Sequence, residues 1–253
     1  MHQLSHLATS LIFALTFIFA LPATVYADVR VLVSGGFWAA YSELLPQFEQ
    51  YTGIKVTTAR GASQGAGPST IGNQLRCGVG ADVVILSKDG LAELFADGRI
   101  VSGSEVNLAS VPLGVGVRAG ASRPDVSTVA EFKQALLNAE SIGIRSSSGI
   151  YLKTKVFPNL GISAALAPKL SDFGVASRDG QIVVLPVSEI LPVSGVDFAG
   201  TMPDEIQFVQ VFVAALVKGV GDPESAKRLI DFLASEAATP AVEKGGMKRT
   251  GHR

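Results

Sequence analysis

Residues 29–63 read VRVLVSGGFWAAYSELLPQFEQYTGIKVTTARGAS, and their pattern decides the fold. Val29-Arg30-Val31-Leu32-Val33 is a short β-branched run that predicts a strand. Ser34-Gly35-Gly36 is the turn after it. From Phe37 to Tyr51 the apolar residues Phe37, Tyr41, Leu44, Leu45 and Phe48 recur at helical spacing, and Thr52-Gly53 ends that helix. Ile54 to Thr58 is a second strand, followed by a loop of small residues from Gly61 to Pro68. Strand, helix and strand in this order form the repeating unit of an α/β sheet with crossover helices.

The same alternation continues along the chain. Ser69 to Cys77 predicts a helix stopped by Gly78. Asp82-Val83-Val84-Ile85-Leu86 is a near-continuous apolar strand suited to burial on both faces. Leu91 to Ala96 adds a short helix, and Val111 to Val117 begins a second unit. A turn at Arg123-Pro124-Asp125 precedes a helix opened by Ser127 or Thr128 and ending near Asn138, with Glu131 placed for a capping box on the latter. Ser141 to Ile144 is a strand, Ile150 to Leu160 a helix, and Gln181 to Leu185 a strand. Val196 to Gly200 has the look of a connection back to the first unit. Ile206 to Val217 is apolar and β-branched, and Pro223 to Ser235 is an amphipathic helix opened by Asp222.

Composition narrows the function classes. The 21 Lys and Arg balance 22 Asp and Glu, a net charge of −1, which offers no global attraction to a nucleic acid. The long apolar run, Leu11 to Leu21, is shorter than the ~20 residues that cross a bilayer, so no membrane span is expected. Pro22 and then Val25-Tyr26-Ala27 follow it, small residues at −3 and −1 of a cut before Asp28, so residues 1–27 are expected to be a signal peptide and the protein periplasmic. Cys77 is the single cysteine, which excludes an internal disulfide, and a buried apolar role is expected for it. His2, His6 and His252 are the only histidines and lie at the ends, so neither a histidine-based triad nor a zinc site is expected. No metal, no cofactor and a monomeric state are the resulting expectations.

Four strands run into loops of Gly and Ser that open helices: Ser34 to Gly36, Gly61 to Gly67, Ser146 to Gly149, and Val187 to Glu189. Helix starts present unpaired N–H groups and partial positive charge, so several aimed at one point form an anion site without a formal cation. Ligands of open α/β sheets bind at the C-terminal ends of strands, where all four loops lie. Ordinary turn and capping chemistry would use the same residue types.

At these loops the chain resembles the molybdate-binding branch of the periplasmic solute-binding proteins, a branch that also includes aconitate isomerase. The resemblance runs through Phe48-Glu49, Thr52-Gly53-Ile54-Lys55-Val56, Gly61-Ala62-Ser63, Gly80-Ala81-Asp82-Val83-Val84-Ile85, and Gly195-Val196 to Pro203. It implies a two-lobed α/β fold, type II-like, with two crossovers and a hinged cleft. One lobe is then expected from residues 28–110 with 200–253, the other from 111–199. The implied ligand is a small anion and the implied partner an ABC permease. From the loops and the residues beside them, the expected binding positions are Ser34, Gly35, Gly36, Arg60, Ala62, Ser63, Arg145, Ser147, Ser148 and Ser188.

Two positions depart from the molybdate pattern. Gly36 stands where that pattern has a serine hydroxyl, and Pro186 falls near an expected tyrosine, while Ser63 retains the second serine. Arg60 and Arg145 are additions whose planar forks suit carboxylates, although strand ends also carry ordinary surface arginines. Loss of oxyanion donors and gain of arginines favour a polycarboxylate over molybdate. The expected function is a transport receptor for a polycarboxylate; the second, alternative function is an isomerase interconverting cis- and trans-aconitate by allylic proton transfer. The second requires a base. Glu189, Tyr151 and Lys153 are the candidates, Glu189 first, although a first-turn glutamate also suits a helix dipole.

Overall fold

The computed structural model describes residues 28–250. The expected signal segment, with His2 and His6, and also His252, lie outside the described residues. Strands β1 (Val29–Ser34), β2 (Val56–Gly61), β3 (Val83–Ser87) and β4 (Val106–Val111) belong to a first sheet, with helices α1 (Gly35–Thr52), α2 (Ile71–Arg76) and α3 (Lys88–Ala96) between them. A single residue, Pro112, then separates β4 from β5 (Leu113–Arg118), which lies in a second sheet. That sheet continues through α4 (Val129–Asn138), β6 (Ser141–Gly143), α5 (Ser146–Tyr151), α6 (Phe157–Asn159), α7 (Ser163–Leu166), β7 (Leu170–Ser171), β8 (Gln181–Pro186) and β9 (Val196–Thr201). The chain returns in β10 (Gln210–Leu216), followed by α8 (Pro223–Ala234), α9 (Thr239–Lys244) and β11 (Lys248–Arg249).

The first sheet has the order β11-β4-β10-β3-β1-β2 and the second β7-β6-β8-β5-β9. Both are mixed: β1 runs parallel to β2 and β3, whereas β10 runs antiparallel to β3 and β4. Alternation along β1 divides the first core. Val31 and Val33 pack towards Phe37, Tyr41, Leu44 and Phe48 of α1 and the apolar side of α8. Leu32 faces the other way, into a layer with Leu91 and Leu94 of α3. Two corresponding layers cover the second sheet. The result is two α/β lobes joined by two crossovers.

Gln207 ties the crossovers together. Its Oε1 accepts from Leu113 N at 2.8 Å, and its Nε2 donates to Leu113 O at 3.1 Å and Met202 O at 2.9 Å. Beside it, Tyr151 stacks on Phe208 with ring centroids 4.8 Å apart and donates its hydroxyl to Ile206 O.

Several elements differ from the sequence reading. Val196–Thr201 is not the return segment but an edge strand of the second sheet, paired with β5. Its residues are only partly buried, which is why it lacks the apolar signature of a central strand, and Gly114 and Gly116 on β5 make room for it. The expected strand over Val111 to Val117 is two strands, because Pro112 lacks an N–H and breaks the ladder. The helix expected over Ile150 to Leu160 begins earlier and carries a π-helical turn, Leu152–Val156, between α5 and α6. Cys77 is exposed, not buried, because it caps the short α2 where the chain turns at Gly78.

The first lobe also holds an ion pair that links three segments. Asp82 is nearly buried; its Oδ2 accepts from Arg30 N at 2.8 Å and Nε at 3.0 Å, and its Oδ1 from Arg30 Nη2 at 2.9 Å and Gly221 N at 3.3 Å. Burial works against ionisation, but the hydrogen bonds from Arg30 and Gly221 outweigh it and hold the carboxyl below its usual range. Asp82→Asn should therefore cost about 2 kcal/mol, less than the ~3–5 of a fully buried pair because Arg30 is half exposed. A depressed folded-state pKa contributes stability that is complete above the unfolded value near ~3.9 and is lost as pH falls through the folded value. Melting curves should show the gap between wild type and Asp82→Asn unchanged from pH 7 to 5 and closing below about pH 4.

Candidate functional site

Between the lobes lies a cleft of about 660 Å³ whose walls come from all four loops singled out in the sequence. Ser34 and Gly35 contribute where β1 meets α1, and Arg60, Ala62 and Ser63 at the end of β2. From the second lobe come Arg145 and Ser148 at the start of α5, Lys153 from the π-helical turn, Pro186 at the end of β8 and Glu189 just after it.

Four of the proposed residues stand elsewhere. Gly36 is buried in the first turn of α1 beneath Phe212; a Cβ there would fall 2.0 Å from Phe212 Cζ. Ser147 is buried and its hydroxyl shares a 2.7 Å hydrogen bond with Ser87 Oγ across the lobes. Ser188 is buried off the cleft wall, with its Oγ unpartnered. Tyr151 does not line the cleft; its ring stacks on Phe208 and its hydroxyl donates to Ile206 O in the crossover. The reason is shared: a residue next to a wall residue on a helical turn points along a different radius, and sequence adjacency does not resolve the two.

The charged groups of the cleft are organised around Glu189. Its carboxylate pairs with Arg145, Nη2 to Oε2 at 2.9 Å, and its side chain is only 13% exposed. It lies over the start of α1: a Cβ added to Gly35 would be 3.4 Å from Glu189 Oε2 and 3.8 Å from Arg60 Nη2. Arg60 in turn rests on the face of Trp38, 4.6 Å from the ring centroid, a cation–π contact that orients its fork. Arg145 lies against Gly174, where a Cβ would be 2.6 Å from its Cζ and would push the guanidinium aside. Arg60, Arg145 and Lys153 thus stand against Glu189 and Asp172, leaving the lining with an excess of positive charge.

The lobes also touch each other beside the cleft. Gln64 N donates to Ser146 Oγ at 3.2 Å, and Ser63 Oγ accepts from Ser87 N at 3.0 Å beside the Ser87–Ser147 bond. Ser146 holds φ at +53°, a left-handed conformation that costs a non-glycine residue energy and gathers at ligand sites.

Gln210 and Asp172 also line the cleft, and sequence reasoning missed both. Gln210 opens an apolar strand at its polar end, which was its only signal. Asp172 follows a two-residue strand with no periodicity to reveal it. No cluster of three metal-ligating side chains occurs among the described residues, and no helix among them is long and apolar enough to cross a membrane.

Comparison with known proteins bears on the family and the fold. Residues 29–248 match the family described as bacterial extracellular solute-binding protein. An aconitate isomerase from a Pseudomonas species is 33% identical over 236 residues, spanning 90% of each chain. The periplasmic molybdate-binding protein of Azotobacter vinelandii superposes with a TM-score of 0.67 at 18% identity, covering 87% of this chain and 98% of that one. The sulfate-binding protein SubI of Mycobacterium tuberculosis gives a TM-score of 0.67 at 17% identity, covering 89% and 88%.

Proposed function

Since the chain belongs to the bacterial extracellular solute-binding proteins, in the molybdate-binding-like branch that includes aconitate isomerase, we propose that its cleft binds aconitate and interconverts the cis and trans isomers, with Glu189 as the base. The observation that carries this reading is the carboxylate of Glu189 inside an anion cleft. In a receptor Glu189 would serve only to orient Arg145, at the cost of a negative charge beside an anionic ligand. Proton transfer needs such a group. The isomerase relative, similar over 90% of each chain, supports the same activity.

The ligand charge also fits. Three cationic side chains line the cleft, matching the three carboxylates of aconitate in number. A substrate carboxylate arriving at Arg145 competes with Glu189 for the guanidinium and frees Oε2. Glu189 then takes a proton from the methylene carbon between the double bond and its carboxylate. Charge spreads over the three-carbon allylic unit and its carboxylates, where Arg60 and Arg145 stabilise it. The same carboxyl returns the proton to the former vinylic carbon, so the double bond moves and its geometry changes with no net gain or loss of atoms.

The purified protein from Asp28 onwards should convert cis-aconitate to trans-aconitate, and the reverse, until the two directions reach one ratio by proton NMR. Aconitate should also raise the melting temperature more than molybdate does at equal concentration. Binding without conversion would favour the second reading, a polycarboxylate receptor whose closed form docks on an ABC permease. The hinged pair of crossovers and the serine contacts across the cleft favour that alternative. In either case residues 1–27 act as an export signal and the protein works in the periplasm.

A further inference from the structure

The cleft contains polar groups that no partner within the protein satisfies. Gln210 is 3% exposed, lines the cleft, and has its Oε1 buried without a hydrogen bond. Ser34, 2% exposed and on the same wall, has its Oγ in the same state. Buried polar atoms are nearly always satisfied, and an unsatisfied one calls for a partner that arrives later.

The fold places the two together. β10 runs antiparallel to β3 with Phe212 opposite Ser87, so Gln210 stands beyond Ser87 at the cleft end of the first sheet. Phe212, two residues on and on the same face of the strand, packs over Gly36. Gln210 is therefore the next side chain along that face towards the cleft, beside the turn in which Ser34 precedes α1.

We infer that Gln210 is a substrate-binding residue that, with Ser34, hydrogen-bonds one carboxylate of the tricarboxylate at the base of the cleft. This rests on the tricarboxylate reading above. A primary amide turned about its last bond exchanges Oε1 for Nε2 in nearly the same place, and Gln210 has no hydrogen bond holding Oε1. Facing a carboxylate it presents N–H donors. Its neutrality matters as well: with charge carried by Arg60, Arg145 and Lys153, an uncharged amide selects by geometry.

The test compares wild type with Gln210→Met, of nearly the same volume, and Gln210→Glu, using calorimetry with trans-aconitate and melting curves. Gln210→Met removes an unsatisfied group, so its melting temperature should stay the same or rise while the Kd rises about tenfold, as for one lost hydrogen bond. Gln210→Glu should weaken binding about a hundredfold or more by placing a carboxylate against the ligand. Wild-type affinity within twofold in both variants overturns the inference alone. A melting temperature lowered by several degrees in Gln210→Met together with lost binding marks a structural role and also overturns it. A wild type that does not bind trans-aconitate overturns the tricarboxylate reading, and this inference with it.

Discussion

Glu189→Gln should reduce aconitate turnover by about two to four orders of magnitude while binding is retained or tightened. Glutamine preserves the shape of the side chain, and its oxygen still accepts from Arg145 Nη2, so the bond that orients both groups survives. What disappears is a group able to take a proton and give it back. The cleft loses one of the two negative charges that line it, so aconitate should bind at least as tightly. The measurement is a pair: turnover by NMR and Kd by calorimetry on the same preparation. Turnover within threefold of wild type would remove Glu189 as the base and leave Lys153, which also lines the cleft, as the next candidate. Equal loss of binding and turnover would place Glu189 in the support of Arg145 and not in proton transfer.

Gly36→Ser, which restores the hydroxyl of the molybdate pattern, should fail to create a molybdate site and should cost about 3 kcal/mol of stability, or roughly 6–12 °C. The space a side chain would need is taken: Phe212 Cζ, Cε1 and Cε2 would lie 2.0, 2.8 and 2.9 Å from the new Cβ. Phe212 is fully buried and rests against Phe37, with ring centroids 6.2 Å apart, so the ring has little freedom to move. Trimming the ring in Phe212→Leu should leave room. The double variant should then be more stable than the sum of the two single effects by about 1 kcal/mol or more. Strictly additive melting data would show that the two side chains do not compete for this space. The pair explains the sequence departure at position 36 physically, as one large side chain filling the volume that a serine would use.

Much of the site was legible in the sequence because its positions follow from local chemistry. Strand ends that run into Gly and Ser before a helix must lie at one edge of an α/β sheet, and Ser34, Gly35, Ala62, Ser63 and Ser148 do line the cleft there. Arg60, Arg145 and Glu189 were legible for the same reason, as charged residues at or just past strand ends. Ser147 and Ser148 differ by one position yet only Ser148 is on the wall, since a 100° step around a helix separates them. Tyr151 was drawn away by Phe208, a residue 57 positions later, and no local pattern carries that contact.

By itself the sequence determined the strand-helix alternation from Val29 to Ala96, the α/β class and the four loops, because these depend on periodicity, capping and backbone sterics within a few residues. Thr128 capping α4 and Asp222 capping α8 belong to this local class. Tertiary structure alone decided which sheet received β9, how Gln207 clasps the crossovers, and that Glu189 stands by Arg145 above Gly35. It also decided that Gln210 keeps an unsatisfied oxygen beside the cleft. These depend on side chains tens to more than a hundred positions apart competing for one volume and one set of hydrogen bonds, and no local pattern records the outcome of that competition.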